Sequence, residues 1–200
     1  MIVVALDAAE RAWMEWAVVE LPAGPRAGGA AGPASDLEAR VPALLTDGAA
    51  GDAGALVVVT GPGSLTGIRI TVAAALGAGM ARGIPVHGVG ALEVAAFAAP
   101  GGDVVAVRPA GRGGLWVGRY RHGEQSLDEL EPPVRVDEAT WRPAAGVTVG
   151  RIPPWPAGGS PAPGATPRPL AAAARFAVTR LPLDLERFDP ATGRVIESRL

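Results

Sequence analysis

This 200-residue chain has no cysteine and no lysine, so all 18 of its lysine-plus-arginine residues are arginine. The absence of lysine excludes a Schiff-base lysine and the lysine of a Walker A loop, because a guanidinium stays protonated and is not an amine nucleophile. The absence of cysteine excludes thiol catalysis, disulfides and thiolate metal ligands. Enzymes that depend on either residue are therefore ruled out.

Net charge and long apolar runs are also scarce. The formal net charge is -2, so no basic field over the whole surface attracts nucleic acid. No apolar stretch approaches the ~20 residues that span a bilayer. The opening "MIVVALDAAE" has neither the positive segment nor the apolar length of a signal peptide. We expect a cytoplasmic protein without membrane contact.

Apolar spacing in residues 1–100 predicts alternating strands and helices. The predicted strands cover residues 2–6, 12–21, 56–60 and 84–89, and the first two form a hairpin. Residues 22–34 predict a loop or a ragged edge strand. Helices are predicted over 35–45, over 66–82 with its end at Gly83, and over 91–99. This order predicts an α/β fold with a mixed sheet.

The two longer helices have distinctive faces. Ser35 and Glu38 form a capping box at the start of the first, where Pro42 predicts a kink or a later start. The apolar residues of that helix lie on one face: Leu37, Val41, Leu44 and Leu45. In the second helix, we expect one stripe to face the core: Leu65, Ile68, Val72, Leu76 and Met80. Its other face has small residues that allow another helix to come close: Ala73, Ala74, Gly77 and Ala81.

Residues 101–200 predict a smaller second part, because "PGG" at 100–102 is a natural boundary. A hairpin is predicted from residues 103–108 and 115–121 around the loop "PAGRGG". Residues 151–169 are too rich in proline and glycine for regular structure and predict a linker or wrapping segment. A helix over 170–178 follows.

The stretch "GPGSLTGIRI" at 61–70 joins a strand to a helix, as phosphate-binding loops do. It lacks the Lys-Ser/Thr of a Walker A loop, its glycines have one residue too many for a dinucleotide fingerprint, and its serine lacks the flanking glycines of a nucleophile elbow. A structural role fits better. Pro62 and Gly63 turn the chain, Ser64 or Thr66 caps the helix, and Gly67 allows tight packing. Anion binding by the first helix amides stays an alternative.

One family resemblance rests on the block "TGPGSLTGIRITVAAALGAGMARGIPVHGVGALEVAA" at 60–96. It resembles the pattern "GPGSFTGxRIG...GLA...PVxGVSxL" of the bacterial TsaB family, also called YeaZ. The opening "MIVVALDAAERAW" is similar to that family's "ILAIDTATxxxSVAL", and "LEARVPALL" stands in the place of its "LLPxIxxLL" helix. The chain departs from the family at Asp36, where a histidine is common, and at "PAGRGGLWV" (109–117), which lacks the Asp and Glu of "DARxxEVY".

The resemblance implies an actin-like (ribonuclease H-like) fold of two subdomains, 1–100 and 101–200. It also implies a non-catalytic partner of TsaD in the threonylcarbamoyladenosine modification of tRNA, acting as a dimerisation and activation scaffold without cofactor or metal. The implied partners are a TsaD-like subunit, a TsaE-like ATPase in the assembled complex, a second copy when alone, and tRNA only through the complex. The glycine loop (Gly61, Pro62, Gly63, Ser64, Thr66 and Gly67) then positions a helix and holds no phosphate.

The implied partner interface comprises Leu37, Val41, Leu44, Leu45, Arg69, Ala73, Ala74, Gly77, Met80 and Ala81. The alternative for each residue is packing on the chain's own sheet, since a stripe shows burial but not the burying surface. Arg69 lies at a helix start, where the dipole disfavours a cation, and either pairs with a partner's carboxylate or is solvated.

Two other residues deserve an interpretation. Asp7 ends the first strand and is expected to bond nearby amides in a turn. His87 is expected to be a satisfied core imidazole, because no second ligand stands at metal-binding spacing. The tryptophans predict core or hairpin packing: Trp13, Trp16, Trp116 and Trp141.

Two rival functions remain at this stage. The first is a small-molecule phosphotransferase or ATPase of the same fold that uses Asp7 as its base. The second is a self-associating structural homodimer without a TsaD partner.

Overall fold

The computed structural model describes residues 1–10, 14–31, 37–46, 50–124, 126–142, 147–150, 168–183, 188–189 and 194–195. Its first sheet has the strand order β3-β2-β1-β4-β5. The strands are β1 (Ile2–Asp7), β2 (Met14–Glu20), β3 (Gly24–Ala31), β4 (Ala53–Val59) and β5 (Val86–Val89). β2 is antiparallel to β1 and β3, whereas β4 and β5 run parallel to β1 and to each other. The predicted mixed sheet is confirmed, and part of 22–34 forms its edge strand.

Both faces of this sheet are covered, because β1 and β4 are buried along almost their whole length. The helices α1 (Leu37–Thr46) and α2 (Leu65–Arg82) lie side by side, and α2 packs on β4, β1 and β5. The helix α4 (Arg168–Ala177) packs on β1, β2 and β5 and covers the opposite face. The predicted division at residue 100 stays a prediction, and α4 joins the core of the first sheet from beyond it.

The sequence predicted a capping box and an effect of Pro42 for the first helix. The capping box is not tested, because Ser35 and the side chain of Glu38 lie outside the described residues. The helix begins at Leu37 and continues through Pro42, so the later start is wrong. At its end, the Thr46 hydroxyl donates to the carbonyls of Pro42 and Ala43.

The core-facing stripe predicted for α2 is wrong at both ends, since Leu65 is 42% exposed and Met80 is 77% exposed. Each spacing of four residues from Ile68 to Met80 turns the helix by 40° more than one full turn, so the stripe leaves the core toward Met80. Leu65 is the first residue of the helix. The residues that α2 buries follow a different arc: Gly67, Ile68, Thr71, Val72, Ala75 and Gly79. Gly83 ends the helix in the left-handed conformation (φ 64°), as predicted.

The second sheet has the order β8-β7-β6-β9. Its strands are β6 (Gly102–Gly111), β7 (Gly114–His122), β8 (Leu127–Asp137) and β9 (Val147–Gly150). The hairpin of β6 and β7 is confirmed, although its loop is shorter than "PAGRGG" because Pro109 already pairs with Leu115. The sequence analysis missed β8 and β9. In β8, exposed acids and two prolines hide any alternation, and pairing with β7 forms the strand.

The short helix α3 (Ala91–Ala96) connects the two halves, because it packs on β6, β7 and β9 and also on α4. Leu92, Tyr120 and Leu127 lie in the core that α3 makes with the second sheet. Two short strands, β10 (Phe188–Asp189) and β11 (Arg194–Val195), pair near the C-terminal end. Most of the predicted linker lies outside the described residues. Its last two residues, 168 and 169, belong to α4, so there the linker prediction is wrong.

Leu92 provides a test of this connection. It is 0% exposed, so Leu92→Ala should lower the free energy of unfolding by about 2–5 kcal/mol, through lost burial and a residual cavity. The matched control Leu181→Ala, at a residue 90% exposed, should change it by less than about 0.5 kcal/mol. Urea unfolding followed by circular dichroism measures both, and equal midpoints for the two variants would contradict the assigned core.

Candidate functional site

The glycine loop lies against the chain's own backbone. The Ser64 amide donates to the Ala9 carbonyl at 2.6 Å. A side chain at Gly63 would collide with the carbonyl of Ala9, and one at Gly67 with the carbonyl of Ala8. Residues 8 and 9 therefore fill the space that a side chain at Gly63 or Gly67 would need.

The helix start is capped from within the loop. Ser64 is the N-cap of α2, and its hydroxyl accepts a hydrogen bond from the Gly67 amide at 3.4 Å. Thr66 is exposed on the first turn and is not the cap. This arrangement supplies the side-chain acceptor that orphan amides at a helix start need.

The other end of the loop ties three elements together. The carbonyl of Gly61, a residue with φ 110°, accepts a hydrogen bond from the Ala91 amide at 2.6 Å. The Thr60 amide and hydroxyl both donate to the Val89 carbonyl, at 2.9 and 3.3 Å. The loop thus fixes the ends of β4 and β5 and the start of α3.

Asp7 ends β1 beside this loop and has both carboxylate oxygens engaged. Oδ1 accepts a hydrogen bond from the Ala9 amide at 2.9 Å, the turn bond expected from the sequence. Oδ2 accepts a hydrogen bond from Nη2 of Arg108, a residue of β6, at 2.8 Å. The Asp7 side chain is 5% exposed and that of Arg108 is 12% exposed. The sequence analysis missed Arg108, because no local pattern relates two residues 101 positions apart.

Arg108 stays charged in this position. Burial alone would lower its pKa, but the attraction of Asp7, and then of Glu10 and Glu15, holds the pKa above the ordinary arginine value. Nη1 of the same guanidinium is buried and has no hydrogen-bond partner in the part of the chain that the structure describes. The C-terminal end of β1 therefore has a fixed cation beside several carboxylates.

His87 lies in β5 and is buried, with Nδ1 at 3.1 Å from the Arg180 carbonyl. Burial lowers its pKa below 6.5, and the bond to that carbonyl opposes this in part. Among the described residues, no group of three or more His, Asp or Glu side chains is placed to hold a metal ion. His87 therefore has the environment of a core imidazole.

The predicted interface residues fall into two groups. Val41 and Leu45 of α1 are buried in the chain's own core and offer no surface to a partner, whereas Leu44 is half-buried. The side chain of Leu37 lies outside the described residues. On α2, Ala74 is half-buried. The exposed residues that lie together on its outer side, which we term the α2 outer face, are Leu65, Thr66, Arg69, Ala73, Gly77, Met80 and Ala81. Arg82 is also exposed and donates hydrogen bonds to the carbonyls of Leu45 and Gly51.

A shallow groove of about 180 Å³ lies beside α1, lined by Met14, Trp16, Arg40, Ala43 and Leu44. This volume is below the ~300–1,000 Å³ typical of ligand pockets. Trp16 packs against the core of the first sheet, and Trp116 and Trp141 pack on the two faces of the second. Trp13 lies outside the described residues.

The three antiparallel strands followed by two parallel ones, with helices on both faces and a second sheet, define an actin-like, ribonuclease H-like α/β protein. The predicted fold class is thereby confirmed.

Two solved structures share this fold. YeaZ from Pseudomonas aeruginosa superposes with a TM-score of 0.67 at 20% identity, over 92% of this chain and 99% of that one. An uncharacterized protein described as similar to peptidase YeaZ from Pseudomonas aeruginosa gives a TM-score of 0.66 at 21% identity, with the same coverage. The resemblance to YeaZ stated from the sequence therefore extends to the fold.

Sequence comparison adds two matches. The sequence model of the family described as TsaD, tRNA N6-adenosine threonylcarbamoyltransferase, matches residues 46–140, just under half of the chain. An uncharacterized protein of Mycobacterium leprae (strain TN) is 39% identical over 93 residues, 46% of this chain. Those residues make up 26% of that relative, so this chain spans about a quarter of its length. No helix in the described part of the chain is long and apolar enough to cross a membrane.

Two glycines of α2 provide a matched test of the loop. Gly67→Ala would drive a methyl group into the Ala8 carbonyl, so it should destabilise the protein by about 1–3 kcal/mol or more. Gly77→Ala meets nothing within 4 Å and should stabilise it by up to about 1 kcal/mol through helix propensity. Chemical denaturation measures both. Equal effects of the same sign would contradict the contact between the loop and residues 8–9.

The lowered pKa of His87 predicts a pH dependence of stability. The unfolded chain binds a proton near pH 6.5 and the folded chain only at lower pH. The free energy of unfolding should thus be unaffected by His87 above that value and should fall as the pH drops through the window below it. Comparing wild type with His87→Gln in urea between pH 5 and 8 tests this. Identical slopes in both proteins would be evidence against the assignment.

Proposed function

We propose that this chain is a non-catalytic partner of a TsaD-type subunit in the threonylcarbamoyladenosine modification of tRNA, and that it acts as a dimerisation and activation scaffold. The match to the TsaD family model and the YeaZ-like fold support a role related to this modification. The observation that carries the scaffold role is the α2 outer face. It is apolar apart from Thr66 and Arg69, and it is exposed on a helix whose other side is buried in the core.

The composition of the α2 outer face suits a helix from another chain. Ala73, Gly77 and Ala81 are small and allow the backbones of two helices to approach closely. Leu65 and Met80 add apolar area at the two ends, and a flexible methionine adapts to different partner surfaces. Arg69 supplies one charge for a carboxylate of the partner.

The polar contacts at the end of β1 support a non-catalytic role. A phosphotransferase would need the Asp7 carboxylate for a substrate hydroxyl or a bound cation, but both oxygens already accept hydrogen bonds from the chain itself. The neighbouring glycine loop lies against residues 8 and 9. Neither part offers the open, polar geometry that phosphoryl transfer requires.

The assembly that we propose follows from one shared surface. The chain forms a homodimer when alone, and a TsaD-like subunit replaces the second copy on the α2 outer face. A TsaE-like ATPase and tRNA join through the complex. Residues 1–100 supply the partner surface in this scheme, and 101–200 form the smaller second subdomain. Helix α4 of the second subdomain packs on the face of the first sheet opposite α2.

Mixing this chain with the TsaD-type protein of the same organism tests the proposal by size-exclusion chromatography with light scattering. Wild type should form a mixed complex, and Gly77→Leu should weaken it at least about tenfold, because the added side chain separates the helices. Leucine is a good helix former and Gly77 has open space around it, so the variant should fold normally.

The matched control is Ala139→Leu, which adds a leucine side chain at an exposed position after β8. It should bind like wild type. Loss of binding by both variants, or by neither, would contradict the assigned face. If no complex forms and the isolated chain hydrolyses ATP in a way that Asp7→Ala abolishes, the phosphotransferase is correct. A dimer without any TsaD binding would favour the structural homodimer.

A further inference from the structure

The ion pair between Asp7 and Arg108 joins the two sheets of the molecule. Asp7 is the last residue of β1 in the first sheet, and Arg108 lies in β6 of the second. Nη2 and Oδ2 are 2.8 Å apart, with both side chains largely buried. A contact of this length in low dielectric fixes the relative position of its two partners closely.

The same contact reaches the partner-facing helix through a short relay. Asp7 Oδ1 accepts from the Ala9 amide, and the Ala9 carbonyl accepts from the amide of Ser64, the N-cap of α2. A side chain of the second sheet is therefore connected to the start of α2 through three consecutive hydrogen bonds. A displacement of β6 would disturb the turn at residues 8–9 and the cap with it.

An anion is a poor alternative occupant of this place. Arg108 is attracted by Glu10 and Glu15 in addition to Asp7, so three carboxylates act on one guanidinium. An anion that approached Nη1 would meet their repulsion. The guanidinium of Arg108 instead serves as the counterion of these three carboxylates.

We propose that Asp7 and Arg108 form a clasp that holds the second sheet in one position against the first. Arg108 is a positioning residue in this role. Buried ion pairs often add little net stability, because desolvation offsets the attraction, and in some proteins they select one arrangement over others. We therefore expect the clasp to affect the relative position of the two sheets more than the free energy of unfolding.

The absence of cysteine makes the relative position of the sheets measurable. Spin labels on Arg26→Cys in β3 and Glu129→Cys in β8, both exposed strand positions, report the distance between the sheets by pulsed electron resonance. The labelled wild type should give one narrow distance distribution. Arg108→Met in the labelled chain should give a distribution at least about twofold broader, or a second distance.

Two further variants make the result decisive. Arg108→Met leaves a buried carboxylate unpaired and can prevent folding, so Asp7→Leu/Arg108→Met replaces the pair by apolar side chains, which cores often tolerate. It should keep the circular dichroism of wild type but show the broadened distribution. The control Arg121→Met removes an exposed pair with Asp103 that joins β7 to β6 within the second sheet, and it should leave the distribution unchanged.

A narrow wild-type distance in Asp7→Leu/Arg108→Met would overturn the clasp, as would equal broadening by Arg121→Met. Exchange of the Ser64 amide gives an independent readout and should become about tenfold faster without the clasp. No partner protein enters these measurements. Failure of the clasp therefore leaves the proposed function standing, and failure of TsaD binding leaves the clasp standing.

Discussion

The close contact between the turn after β1 and the first turn of α2 is the constraint on which the rest of the structure depends. It requires glycine at 63 and 67, because backbone carbonyls of residues 8 and 9 occupy the space of any side chain. It brings the Ser64 amide onto the Ala9 carbonyl and sets the angle at which α2 leaves the loop. The burial of Ile68, Val72 and Ala75 follows from that angle, as does the exposure of the opposite face.

A second consequence concerns chemistry. Loops between a buried strand and a helix commonly leave their amides free for phosphate. Here the Ser64 amide donates to the chain's own carbonyl at Ala9, and the neighbouring Asp7 carboxylate pairs with Arg108 from the second sheet. The chain's own groups therefore engage the Ser64 amide and both oxygens of the Asp7 carboxylate.

The sequence predicted the features that local patterns encode. Strand runs, the Ser64 cap and the Gly83 end of α2 depend on neighbouring residues, and the first sheet follows from their order. The pairing of Asp7 with Arg108 depends on the arrangement of two sheets, so no spacing reveals it. The core stripe of α2 was wrong at Leu65 and Met80, because apolar character alone does not say which surface buries a residue. The strand β8 was missed because its formation depends on β7 and its own residues are mostly polar.

That strand also restricts how copies of the molecule can meet. β8 is the outer strand of its sheet, and an outer strand exposes backbone groups that can template the addition of another chain. Pro132 and Pro133 remove two amide donors there, and exposed Asp128, Glu129 and Glu131 would place like charges opposite each other in a second copy. Growth of the sheet from molecule to molecule is thereby disfavoured. Contacts between copies of this chain would therefore use side-chain surfaces instead of backbone pairing along β8. Side-chain contacts of this kind form and dissociate without rebuilding a sheet.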